Sequence, residues 1–95
     1  MPFVYVLRCR DGSLYTGAAR DLARRLGQHR KGKASRYTRS RLPVALAWSR
    51  RVRTWGRALS EESRIKSLTR KEKLALVAAG RRRSSRALGN RVSSG

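Results

Sequence analysis

Acidic residues are scarce in this 95-residue chain, in which five Asp and Glu stand against 25 Lys and Arg and the formal charge is +20. Twenty of the 25 cationic residues are arginine. A chain with so one-sided a charge repels copies of itself and attracts polyanions. We therefore expect a polyanionic partner, with nucleic acid as the first candidate, an anionic membrane surface as the second and an acidic protein as the third.

Cysteine and histidine occur once each, as Cys9 and His29. A single cysteine excludes an internal disulfide bond, and one cysteine with one histidine cannot build a structural zinc site. A metal ion bound by this chain would therefore take oxygen ligands, as Mg²⁺ does.

Long apolar runs are also missing, since the longest are residues 3–7, 44–48 and 74–79. A membrane-spanning helix needs about 20 apolar residues, which excludes an integral membrane protein. The run at residues 3–7 is too short for the core of a signal peptide, and no cleavage site follows it. We therefore expect a cytoplasmic protein.

Hydrophobic residues make up 39% of the chain, enough for one compact core in a single domain. Phe3–Leu7 is continuously apolar and predicts a central strand covered on both faces. Asp11-Gly12 predicts a turn, and Ser13–Gly17 the returning strand of a hairpin. Alternation of large and small residues over Val44–Trp48 predicts a third strand.

The first predicted helix begins at Asp21, a good N-cap residue, and carries Leu22, Leu26 and His29 on one face. Residues 31–41 follow it and are rich in Lys, Arg, Ser and Gly, so we predict a basic loop there.

Two further helices are predicted after the third strand. The first begins near Thr54 or Gly56. The next opens with the capping-box pattern of Thr69–Glu72 and ends at Gly80.

The element order ββαβαα predicts an α+β domain over residues 1–79, in which three helices flank a small three-stranded antiparallel sheet. Residues 80–95 hold five Arg and no acidic residue. We predict a flexible basic C-terminal tail there.

Two tyrosines, Tyr5 and Tyr15, lie ten residues apart in the two strands of the predicted hairpin, and Arg25 and His29 follow on one face of the first helix. Each has an ordinary interpretation when taken alone. Tyr5 and His29 could be packed core side chains, and Arg25 could pair with Asp21 one turn earlier. The ordered set is more informative than any of its members.

This arrangement resembles the GIY-YIG nuclease superfamily over residues 2–78, and most closely its short stand-alone bacterial members. Phe3-Val4-Tyr5 matches the tripeptide that opens the first strand of that family, and Tyr15-Thr16-Gly17 the tripeptide that ends the second. The family also has an acidic metal ligand on a later helix. Helical periodicity alone does not separate Glu61 from Glu62, and the resemblance favours Glu62.

The resemblance implies a Mg²⁺-dependent endonuclease that hydrolyses nucleic-acid phosphodiester bonds, with DNA favoured over RNA and a role in DNA repair or recombination. Its catalytic residues would be Tyr5, Tyr15, Arg25, His29 and Glu62, with Glu62 as the ligand of one Mg²⁺. Arg25 would hold phosphate oxygens. The sequence leaves the general base open among Tyr5, Tyr15 and His29.

Eight cationic residues of the first helix and the basic segment form the expected nucleic-acid-binding surface: Arg20, Arg24, Arg30, Lys31, Lys33, Arg36, Arg39 and Arg41. Trp55, which has several arginines near it in sequence, is a candidate for stacking on bases.

Two alternatives to an enzyme stay open at this point. One is a non-catalytic DNA- or RNA-binding protein that keeps the GIY-YIG fold. The other is a basic ribosome- or RNA-associated protein whose match to the motif is accidental. Charge does not separate these functions from a nuclease, because attraction to phosphates supplies affinity in each case.

Overall fold

The structure is a computed structural model, and it describes residues 1–80. The predicted tail therefore lies outside the described residues, apart from Gly80. The elements are, in order, β1 (Phe3–Arg8), β2 (Leu14–Ala19), α1 (Leu22–Arg30), α2 (Arg36–Arg39), β3 (Ala45–Arg51), α3 (Trp55–Lys66) and α4 over residues 70–80. None of the helices in this part of the chain is long and apolar enough to cross a membrane.

The three strands form one antiparallel sheet in the order β2-β1-β3, which places β1 at the centre as predicted. Successive side chains of a strand point to opposite faces of its sheet. Val4 and Val6 are therefore buried on one face of β1, and Tyr5 and Leu7 on the other. The predicted α+β class and three-stranded sheet are confirmed.

Each face of the sheet has its own hydrophobic cluster. The cluster beneath α1 consists of Tyr5, Leu7, Cys9, Ala19 and Val44, with Tyr15, Leu22, Leu26 and Leu42 packed against it. The cluster beneath α3 and α4 consists of Val4, Val6, Ile65 and Val77, with Leu14, Ala47, Trp48, Leu68 and Leu76 packed against it. Tyr5, Tyr15, Arg25 and His29 belong to the α1 side of the sheet, whereas the candidate site residue Glu62 comes from α3.

The predicted helix starts are confirmed by their capping hydrogen bonds. The side chain of Asp21 accepts from a backbone N–H in the first turn of α1, and the side chain of Thr54 does so for α3. At α4 the capping box is complete, because the N–H of Thr69 donates to Glu72 Oε1 at 2.9 Å and the N–H of Glu72 donates to Thr69 Oγ1 at 3.2 Å.

The prediction that residues 31–41 form only a basic loop is wrong, because Arg36–Arg39 form the short helix α2. The hydroxyl of Ser35 caps this helix by accepting hydrogen bonds from the N–H groups of Tyr37 and Thr38. One helical turn in a strongly cationic segment has no apolar periodicity that would reveal it in the sequence.

Gly80, the last of the described residues, belongs to α4, and the predicted end of this helix lies at the limit of the described residues. A Cβ at this position would lie 2.7 Å from Cδ1 of Trp48, closer than real Cβ atoms come to other heavy atoms. A larger residue at this position would force the indole of Trp48 or the end of α4 to shift.

Candidate active site

Tyr5 lies directly opposite Gly17 in the pairing of β1 with β2. A Cβ at residue 17 would lie 2.5 Å from the hydroxyl oxygen of Tyr5, so the ring passes over the glycine at a distance that no larger residue permits. The glycine of the Tyr15-Thr16-Gly17 motif therefore determines where the Tyr5 hydroxyl lies, under α1.

A chain of hydrogen bonds starts at this hydroxyl. Tyr5 Oη lies 2.8 Å from Nε2 of His29, and Nδ1 of His29 lies 2.9 Å from Oγ1 of Thr38. The Thr38 hydroxyl donates its single proton to the carbonyl of Ser35 at 3.3 Å. On this basis we assign Nδ1–H of His29 as the donor to Thr38 Oγ1, which leaves Nε2 to accept from Tyr5. The network assigns His29 as the Nδ1-protonated tautomer.

The imidazole of His29 is 1% exposed. Burial lowers the pKa of His29 from its ordinary value of 6.5, and the positive charge of Arg25 lowers it further. A neutral imidazole is therefore the form present at neutral pH, which agrees with an Nε2 atom that accepts a proton.

Tyr5 is 2% exposed, and burial raises its pKa well above the ordinary value. Tyr15 and the carboxylate of Glu62 also raise the pKa of Tyr5, whereas Arg25 lowers it. Tyr15, Arg25 and Glu62 therefore lie within electrostatic range of the Tyr5 phenol, and His29 lies within hydrogen-bond distance of it.

Tyr15 lies between two aromatic rings. Its ring meets His29 edge-on, with centroids 5.3 Å apart, and stacks on Tyr37 with centroids 6.0 Å apart. Tyr15 is half-buried, whereas Tyr5 is almost completely covered. The second tyrosine is therefore the more accessible of the pair.

Arg25 projects from α1 and is half-buried. It lines a cavity of about 420 Å³ together with Arg20, Arg24, Gln28 and Trp55. The alternative that Arg25 pairs with Asp21 is not observed within residues 1–80, where Asp21 instead caps α1 through the N–H of Arg24. Arg25 thus lines the cavity, and its charge lowers the pKa of both Tyr5 and His29.

The two adjacent glutamates of α3 have different surroundings. Glu61 is buried and contacts Arg64 at 2.9 Å, Arg57 at 3.7 Å and Arg50 at 3.9 Å. The hydrogen bond from Arg64 is the main reason why the pKa of Glu61 lies below its ordinary value. The carboxylate of Glu61 therefore forms ion pairs with three arginines, and the pair with Arg50 links α3 to β3.

Glu62 is paired with one residue, Lys66, at 3.2 Å on the same helix. The negative charge of Glu62 also contributes to the raised pKa of Tyr5. Residues 1–80 contain no group of three His, Cys, Asp or Glu side chains that could hold a metal ion. Because Mg²⁺ keeps several waters and needs only one or two carboxylates, Glu62 alone fits this ion as a ligand.

The predicted nucleic-acid-binding residues differ in accessibility. Seven are exposed: Arg20, Arg24, Arg30, Lys31, Lys33, Arg36 and Arg39. Arg41 is half-buried, pairs with Asp11 at 3.1 Å and lies 3.8 Å from the centroid of the Tyr37 ring. Arg41 therefore stabilises the position of Tyr37.

Sequence reasoning missed Tyr37 and Thr38, both on α2. The available signal was Ser35, a good N-cap residue inside the basic segment. A helical turn beginning there would have indicated that Thr38 faces the domain.

Comparisons with known proteins identify the family of this chain. The GIY-YIG catalytic domain matches residues 1–75. A UPF0213 protein of Staphylococcus epidermidis is 44% identical over 78 residues, covering 82% of this chain and 95% of the relative. A UPF0213 protein of Staphylococcus saprophyticus is 40% identical with the same coverage.

A solved structure gives the same result. The solution NMR structure of a UPF0213 protein from Bacillus halodurans is 39% identical and superposes with a TM-score of 0.55, covering 83% of this chain and 85% of that chain. The range matched by the GIY-YIG catalytic domain includes all five candidate site residues. This chain therefore belongs to the GIY-YIG nuclease superfamily and, within it, to the stand-alone UPF0213 proteins.

Proposed function

We propose that this protein is a Mg²⁺-dependent endonuclease that hydrolyses phosphodiester bonds of nucleic acid. The observation that carries the proposal is the directed hydrogen-bond chain from Tyr5 through His29 to Thr38, with Arg25 and Glu62 acting on the same phenol. A tyrosine buried only for packing does not need a buried histidine at 2.8 Å from its hydroxyl, itself held by a second side chain.

The chain of hydrogen bonds supplies a route for the proton of the attacking water. A phenol has an ordinary pKa near 10, and burial raises the pKa of Tyr5 further, so a standing phenolate is not available as the base. Instead, Tyr5 takes the proton of the water while its own proton passes to Nε2 of His29. Thr38 keeps the imidazole in the tautomer that accepts this proton.

Arg25 and Glu62 act on the phosphate side of the reaction. The guanidinium of Arg25 is planar and permanently charged, so it can bind two phosphate oxygens at once and stabilise the charge that develops on them. Glu62 would hold the Mg²⁺, which would supply positive charge at the leaving oxygen.

DNA is the preferred polymer in this proposal, and DNA repair or recombination the preferred setting. Both choices rest on the resemblance to other GIY-YIG nucleases. The net charge of +20 supports a nucleic-acid substrate of either kind.

The proposal is tested by incubating the purified protein with labelled single-stranded, duplex and branched DNA, and with RNA, in Mg²⁺ or in EDTA. We expect cleavage in Mg²⁺ alone. Tyr5→Phe removes one hydroxyl, and Glu62→Gln removes one charge. Each should lower the cleavage rate by about 100-fold or more while nucleic-acid binding is kept.

Two variants are matched controls. Tyr37→Phe removes a hydroxyl outside the Tyr5–His29–Thr38 hydrogen-bond chain, and Glu72→Gln can keep the capping hydrogen bond of α4. Both should cleave at the wild-type rate. A Tyr5→Phe variant of undiminished rate would overturn the proton route. Binding without cleavage of any of the substrates would favour the non-catalytic alternative.

A further inference from the structure

The aromatic side chain of Trp55 lines the same cavity as Arg25 and takes no part in the hydrogen-bond chain of Tyr5, His29 and Thr38. Trp55 is the first residue of α3 and is half-buried, with the guanidinium of Arg20 at 4.8 Å from the centroid of its ring. Both residues line the 420 Å³ cavity that Arg25 also lines. Both also line a second cavity of about 250 Å³, together with Arg53. Trp55 therefore borders open space in both cavities, and the guanidinium of Arg20 lies over its ring.

The charge of this cavity fits a strand of nucleic acid. Arg20, Arg24 and Arg25 line it, and the single acidic residue of the wall, Asp21, is engaged in capping α1. A cavity of this size lies in the range typical of small-ligand sites, about 300–1,000 Å³. An aromatic face in a strongly cationic cleft is the arrangement by which proteins hold unpaired strands, with bases on the ring and phosphates on the cations.

We propose that this cavity receives an unpaired nucleotide next to the scissile phosphate, with its base stacked on Trp55 and its phosphates on Arg20 and Arg24. The inference rests on the proposed function where it takes Arg25 to hold the scissile phosphate. A base inside a duplex has both faces covered by its neighbours and cannot reach the indole without being extruded. The substrate class is therefore a single strand, or a duplex that is locally unpaired beside the cleavage point.

The test measures binding in EDTA, where no cleavage interferes, by the fluorescence anisotropy of labelled oligonucleotides. The probes are a DNA strand, the RNA strand of the same sequence, a DNA strand of the same length with abasic sites, and a duplex. Trp55→Ala should weaken binding of the base-containing strands by about 5- to 150-fold. Its affinity for the abasic strand and the duplex should stay within about 2-fold of wild type.

Three further variants separate stacking from loss of the fold. Trp55→Phe keeps an aromatic face and should retain most of the affinity, whereas Trp55→Leu keeps apolar bulk without that face and should behave as Trp55→Ala. Leu59→Ala removes an exposed side chain one turn further along α3 and should bind every probe as wild type. Weaker binding of either base-containing strand supports the subsite, and the strand bound more tightly identifies the polymer.

Equal weakening of all four probes by Trp55→Ala, with Trp55→Leu behaving alike, would overturn the inference, because charge alone would then explain the binding. Unchanged affinity for every probe would overturn it as well. These results are distinct from failure of the proposed function, which would be a Tyr5→Phe or Glu62→Gln variant that cleaves at the wild-type rate.

Discussion

Arg24 and Arg25 are neighbours on α1 and line the same cavity, but Arg25 is the one whose charge lowers the pKa of both Tyr5 and His29. Their shared location and different surroundings make them a natural pair for separating general attraction to phosphate from a specific contact at the reaction centre.

Replacing Arg25 with lysine keeps the charge but removes the planar fork. We expect Arg25→Lys to lower kcat/KM by about 100- to 1,000-fold, because a compact ammonium cannot contact two phosphate oxygens in the same way. Arg24→Ala should change kcat by less than about 5-fold, because its proposed phosphate contact serves binding. Steady-state cleavage assays compare the two, and equal decreases would show that Arg25 serves general attraction only.

The pH dependence of the reaction should report His29. Burial lowers the pKa of His29 below 6.5, and a protonated imidazole cannot accept the proton of Tyr5. The cleavage rate should therefore be at its maximum above the lowered pKa of His29 and should fall to zero as the pH drops below that pKa. A profile of kcat/KM against pH measures this limb in the free protein, and a midpoint at or above 6.5 would contradict the assignment of His29 as acceptor.

The same histidine links pH to stability. The unfolded chain binds a proton at His29 near pH 6.5, while the folded chain binds it only at lower pH. The free energy of unfolding should therefore fall as the pH drops from about 6.5 towards the folded pKa. Urea titrations at several pH values should show this decrease in wild type and not in His29→Gln.

At the level of whole elements, local chemistry was sufficient to predict most of the fold. The apolar run Phe3–Leu7 indicated the central strand, and the capping residues Asp21, Thr54 and Thr69 placed the starts of α1, α3 and α4. These predictions succeeded because caps and hydrophobic patterns act between residues that are close in sequence.

The candidate site depended on contacts that such local patterns do not contain. Thr38 contacts His29, nine residues earlier in the sequence, because α2 folds back over α1. Tyr37 stacks on Tyr15 for the same reason. The N-cap residue Ser35 could indicate the helical turn, but it does not indicate that the turn packs against α1. The set of five site residues came instead from family resemblance, which carries information on distant contacts that spacing alone lacks.

The pairing of β1 with β2 leads to a prediction about glycine. Gly17→Ala would place a Cβ 2.5 Å from the Tyr5 hydroxyl oxygen, so the ring must move and its bond to His29 must break. We expect a lower urea midpoint and a decrease in cleavage rate comparable to that of Tyr5→Phe.

The control is Gly27→Ala in α1, where a Cβ meets nothing within 4 Å. Alanine in a helix interior is favoured over glycine by up to about 1 kcal/mol, so this variant should be slightly more stable and fully active. If Gly17→Ala matched Gly27→Ala in both measurements, the close approach of Tyr5 to residue 17 would not matter for the site.

For the whole molecule, the excess of cations predicts strong dependence of binding on salt. Residues 81–95 carry five of the 20 arginines. Removing this segment should weaken binding to all sequences alike and flatten the slope of log K against log salt concentration, by up to about 0.9 for each duplex phosphate that the shortened chain no longer neutralises. The cleavage rate at saturating substrate should not change.

The matched variant keeps the length of the chain and replaces the same five arginines with glutamine. If charge is the cause, both changes should flatten the slope equally. An unchanged slope after truncation would mean that these arginines do not contact nucleic acid, and a collapse of the saturated rate would mean that the domain extends beyond residue 79.

Glu61 is the internal counterion for three arginines, Arg50 on β3 and Arg57 and Arg64 on α3. A single negative charge cannot balance three positive ones, so the joint between β3 and α3 retains repulsion that depends on mobile ions for relief. Salt therefore acts in opposite directions on the bound and the free protein. High ionic strength weakens binding of a polyanion, but it screens the repulsion among these arginines in the free protein. In dilute buffer, a bound polyanion supplies the negative charge that dissolved anions would otherwise provide.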